Sequence, residues 1–287
     1  MASKAFIRSI TSMSKKALSE RPLSQRFSDI ATLVRGVRNN VPEFSEDSGF
    51  AVDPWDKHKN VRPHVEAMLH ISETIRHSQT YLDFLENSRD LTLRSIQDDR
   101  GLLESIVHYP VSCENDQKAV IQAVNLYQAA ASCEASDFDF GETNIVFFEE
   151  AKRYYKQSNA IRILNGSSAC NLKTGSRKIK INTHDDAGFR NPLKALSIVF
   201  HEGVHDQIFQ LAFACYTKKG NLGNLAGDAK LYATFKEQGA TIPFGIRLAY
   251  LEQFYEIVAH DQQDKFARDL NNLLKSADSG FTLSHPH

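Results

Sequence analysis

Cysteine is scarce in this chain. Cys113, Cys133, Cys170 and Cys215 are the only four in 287 residues, unevenly spaced and without a CxxC pair. That argues against a disulfide framework and for free thiols in a reducing compartment. It also leaves histidine and carboxylate as the side chains for binding a metal. Neither sign of charge is in excess: 34 Lys and Arg against 35 Asp and Glu give a net charge of −1. An electrostatic case for nucleic acid or an anionic membrane as main partner is therefore missing. No apolar run approaches the length of a membrane span. Residues 1–27 lack the continuous apolar stretch of a secretory signal, and there is no internal repeat or low-complexity tract. The remainder, 41% hydrophobic and 24% charged, is ordinary for a globular protein of one large or two small domains.

Residues 1–27 are basic and Ser-rich, with Lys4, Arg8, Lys15, Lys16, Arg21 and Arg26 against Glu20 as the one acid. Three readings fit: an organelle transit peptide, the N-terminal signal of a protein that bacteria export by injection, or a solvated tail. Residues 28–140 carry helical periodicity, clearest from Val61 to Val111 and from Asn115 to Ala131. The pattern changes near residue 144. Ile145 to Phe148 and Ala160 to Leu164 read as short strands, and Asn165-Gly166 reads as a hairpin turn. A strand near Ala169 to Leu172 then leads through Thr174-Gly175-Ser176 into Arg177 to Thr183. In that last strand Ile179 and Ile181 alternate with Lys178, Lys180 and Asn182. The expected fold is α+β, mostly helical, with a small antiparallel sheet directly before the next segment.

That segment holds the strongest motif, His201-Glu202-Gly203-Val204-His205, an HExxH. Asn191-Pro192 supplies an N-cap and first helical residue. Apolar residues from Leu193 to Leu211 recur at helical spacing, and the run ends near Lys218-Lys219-Gly220, a fitting C-terminus. Residues four apart lie on one helix face, so His201 and His205 can grip one Zn²⁺ from the same side. Glu202, one step round the helix, can take a proton from water there. His and Glu are costly to bury in so apolar a helix unless something pairs them. The plainer alternative is two satisfied core histidines and a salt-bridged acid. His70 and His77 are read as packed or surface residues.

A catalytic zinc takes three protein ligands. Candidates for the third are Asp228, Glu237, Glu252, Glu256 and His260, with Glu237 first and Asp228, which also suits a helix cap, second. Glu252 and Glu256 read as surface acids at i and i+4. Tyr232, Tyr250, Tyr255 and Arg247 are candidates for holding an oxyanion. Asp206 points elsewhere on the helix and is assigned no metal role.

HExxH with a glutamate on a following helix resembles the gluzincin class of zinc metallopeptidases. Phe235-Lys236-Glu237-Gln238-Gly239-Ala240-Thr241, leading to Gly245-Ile246-Arg247, is similar to the glutamate helix of effector zinc proteases that bacteria inject into host cells. The metzincin pattern is absent, since its third His would fall at Leu211. The resemblance implies a zincin-like core over 141–287, with His201, His205 and Glu237 on Zn²⁺ and Glu202 as general base. It further implies hydrolysis of a peptide bond in a protein or peptide substrate, and delivery into the host cytosol. The alternatives are a cytoplasmic protein and a non-catalytic helical binding module with an accidental or degenerate HExxH.

Overall fold

The computed structural model describes residues 78–151, 153–155, 160–162, 164–237 and 254–281. The tail 1–27, His70, His77, Arg247, Tyr250 and Glu252 lie outside them. Helix α1 (Gln79–Asp98) opens on Ser78, whose hydroxyl accepts from the Tyr81 N–H. Asp99 ends it and caps α2 (Arg100–Val107) through the Leu102 N–H. Helix α3 (Glu114–Glu134) follows. The strands are β1 (Asn144–Phe148), β2 (Arg153–Tyr155), β3 (Ala160–Arg162), β4 (Gly166–Cys170) and β5 (Arg177–Asn182). Three helices complete the described chain: α4 (Pro192–Thr217), α5 (Ala226–Glu237) and α6 (Phe254–Phe281). The architecture is thus α+β and mostly helical. Among the described residues no helix is long and apolar enough to cross a membrane, and all four cysteines are free thiols.

The sheet departs from the expected antiparallel meander. Its order is β1-β5-β4: β4 and β5 are antiparallel, but β1 runs parallel to β5, Ile145 beside Ile179 and Phe147 beside Ile181. A parallel pair needs a long connection rather than a tight turn, and residues 149–176, with a separate β2-β3 hairpin, supply it. Asn165-Gly166 makes no hairpin between β3 and β4. Gly166 instead lies against α4, where a Cβ would come within 2.8 Å of Ile198 Cγ2 and 3.1 Å of the Glu202 side chain. The glycine serves close approach of strand to helix. Alternation in β5 is as expected for its isoleucines, Ile179 and Ile181 being fully buried. Asn182 is also buried, its amide bonded to both backbone groups of Glu150.

Everything packs around α4. Its Asn191 cap accepts from the Lys194 N–H, and Pro192 starts the first turn. At the far end Lys218 caps the helix in the left-handed conformation, at φ 55°, and Gly220 follows with φ 85°. Helices α3, α5 and α6 and strands β4 and β5 surround it, so the helix is buried almost all round. Gly203, inside the motif, admits α3: a Cβ there would collide with Gln128 Oε1. One apolar cluster joins residues of α1, α2, α3, the sheet, α4, α5 and α6.

Candidate metal centre

A buried polar side chain in such a helix must find a partner. On the face of α4 toward the β1–β5 side, Asp206 accepts from the Thr143 hydroxyl and from Gln210 Nε2 at 2.7 Å, with Arg177 Nε at 3.5 Å. Gln210 also donates to the Gly141 carbonyl and accepts its N–H. Gln207 donates to Ser132 Oγ, and Gln128 of α3 donates to the Phe200 carbonyl. Burial pushes the Asp206 carboxyl up, and Thr143, Arg177 and Gln210 pull it back. Asp206 therefore sits in a network with Thr143, Gln210 and Arg177.

The histidine face is different. His201 Nε2 and His205 Nε2 stand 3.1 Å apart. Glu256 of α6 brings Oε2 to 3.7 Å from the first and 3.4 Å from the second. All three residues are buried and form a group able to hold a metal ion. A tetrahedral ion with bonds of about 2.0–2.1 Å would space its ligand atoms by about 3.3–3.4 Å, so the observed triangle fits one. The protonation states fit as well. Burial, then the neighbouring His205 and His260, lower the His201 pKa to about 3, with Glu256 opposing. Neutral imidazole is the form that binds metal. His201 Nδ1 is buried without a well-formed hydrogen bond, while the Ala259 main chain lies within reach of the ring.

Glu256 arrives because α6 is clamped to α4. Phe200, next to His201, stacks on Phe266 with centroids 4.2 Å apart and planes 5° from parallel. Arg89 of α1 ties α6 down through Gln262 and Asp269. Glu256 is only 3% exposed, so its reading as a surface acid is corrected. The missed signal was spacing: Glu256 and His260 repeat, on α6, the i, i+4 arrangement of His201 and His205 on α4. Tyr255 stands edge-on to His205, centroids 5.8 Å apart.

Two other candidates among the described residues fall elsewhere. Asp228 accepts from the Ser78 N–H and hydroxyl, at 3.1 and 2.6 Å, joining α5 to the start of α1. Tyr232 is core, packed on Tyr81 at 5.5 Å. Glu237 is the last residue of α5, and its side chain lies outside the described residues.

Glu202 occupies the space between the histidines and strand β4. Burial raises its carboxyl to about 7; His205 lowers it, Glu256 raises it, and the Ser168 main chain of β4 lowers it. A carboxyl poised there can both accept and return a proton near neutral pH. No family model, curated protein or solved structure matches the chain, so the centre is read from its own geometry.

Proposed function

We propose that the chain is a zinc-dependent peptidase of gluzincin type, with His201, His205 and Glu256 as the ligands. The observation that carries this reading is the convergence of three buried lone-pair atoms within 3.1–3.7 Å, beside a carboxyl held at about 7. A set of two imidazoles and one carboxylate is that of zinc hydrolases, where the ion polarises a carbonyl and acidifies water. Glu202 takes the proton from the attacking water and returns it to the leaving amine. Strand β4 is an edge strand among the described residues, and an extended peptide can add to such an edge by main-chain hydrogen bonds. Gly166 brings that strand directly against Glu202. Delivery into a host cell remains part of the proposal through the basic N-terminal stretch and the resemblance to injected effectors.

Metal analysis of the purified chain tests the centre: one zinc per chain is expected, and its absence ends the reading. Incubation with a cell lysate and N-terminal labelling of new fragments tests the reaction. Labelled fragments should appear with the wild-type chain and not with Glu202→Gln. Cleavage retained in that variant would remove the mechanism.

A further inference from the structure

Two i, i+4 pairs meet at the candidate metal centre. On α4 they are His201 and His205; on α6, Glu256 and His260. Residues so spaced share a helix face. Three of the four converge already. The His260 ring centroid lies 4.6 Å from that of His201, tilted by 52°. The His205 ring stands at almost the same separation, 4.7 Å, and there the two Nε2 atoms are 3.1 Å apart. As the rings stand, His260 is outside the group of converging ligand atoms, and its place beside His201 leaves a change of ring orientation as the step that would bring a nitrogen in. His260 is also the exposed member of the four, and its ring makes no hydrogen bond among the described residues.

Building on the zinc centre proposed above, we infer that His260 is a fourth, detachable ligand. With His260 bound, four protein donors surround the ion, the closed arrangement of structural zinc sites. With it released, three remain and one position opens to solvent, the arrangement of catalytic sites. His260 is the group that can leave, because it alone is exposed; release of His201, His205 or Glu256 would strand a buried polar side chain.

Cobalt(II) on the full-length chain tests this, since its visible absorption is strong when four-coordinate and weak at higher coordination. The wild type should give the strong band. His260→Ala should shift it, as water replaces an imidazole in the fourth position, and lower cobalt affinity by about tenfold or more. The exposed position should leave the melting of the metal-free variant unchanged. X-ray absorption on the zinc-loaded wild type gives an independent count, with three imidazoles expected per ion. Identical spectra and affinities for wild type and variant, or a count of two imidazoles, would overturn the inference. Failure of the underlying zinc centre looks different: the wild type takes up no cobalt, or His201→Ala binds it as the wild type does.

Discussion

On one side of α4, Asp206, Gln207 and Gln210 direct their polar atoms to Thr143, Ser132 and Gly141. On the other, His201 and His205 turn theirs toward each other and toward a carboxylate from a distant helix. Both sets are buried in the same apolar helix, and burial alone does not tell them apart. In the first set Thr143 and Gln210 donate to Asp206 and Gln207 donates to Ser132, while Asp206 Oδ1 and Gln207 Oε1 stay without a well-formed hydrogen bond, and the set joins α4 to α3 and to the segment before β1. In the second, two Nε2 atoms and a carboxylate oxygen face one another, and with each neutral imidazole carrying its proton on Nδ1 three acceptors meet, an arrangement that a cation satisfies. What separates the two sets is convergence: the atoms of the first fan out to separate partners, and three of the second point at one place.

The largest effect that would break this contrast comes from His201→Ala or His205→Ala. Either should abolish stoichiometric zinc and lower the melting temperature of the zinc-loaded protein. A ligand at a thousandfold excess over its dissociation constant contributes about 4 kcal/mol, so calorimetry with and without chelator should resolve the loss. Glu202→Gln should keep the metal and reduce peptide hydrolysis by about 10²–10⁴-fold, the range for losing a general base. Glu256→Gln against Glu237→Gln sharpens the ligand assignment. The first should weaken zinc binding by about a hundredfold or more and the second should leave it unchanged, as read by competition with a chelator. Zinc lost with Glu237→Gln instead would restore the sequence-based choice.

On the opposite face, Asp206→Ala should cost about 1–3 kcal/mol by leaving the Thr143 hydroxyl and one Gln210 N–H without this acceptor. Zinc stoichiometry should not change, and denaturant melts with metal analysis check both. The smallest effect is in pH. The Glu202 carboxyl is raised from 4.5 to about 7. Between those values the unfolded chain releases a proton that the folded chain keeps, so stability falls as pH rises through that window. Metal-free Glu202→Gln should therefore melt a few degrees above the metal-free wild type near pH 8 and together with it near pH 4. The same melt at both pH values would show that Glu202 is not desolvated.

Much of this was legible in the residues. The motif helix announced both its ends, Asn191-Pro192 at one and the lysines at the other, because capping is local chemistry. The isoleucines of β5 declared their face by alternation. The third ligand was harder. Glu237 was preferred because it follows the motif at a familiar distance, whereas Glu256 reaches the histidines only through the docking of α6, a tertiary event that no local pattern encodes. The repeat of i, i+4 spacing in Glu256 and His260 was the one hint available. The parallel pairing of β1 with β5 was hidden for a similar reason, since register across a long connection depends on what both strands pack against. Asn165-Gly166 shows the opposite error: a strong turn signal overruled by the need for a bare backbone beside Ile198 and Glu202.

The Phe200–Phe266 stack has a consequence for how the protein is made. A nascent chain that has coiled α4 but not yet laid α6 across it owns the two imidazoles of the candidate centre without the Glu256 carboxylate. On the proposed reading, tight uptake of an ion waits for Phe200 and Phe266 to meet, and metal capture would report that folding has finished.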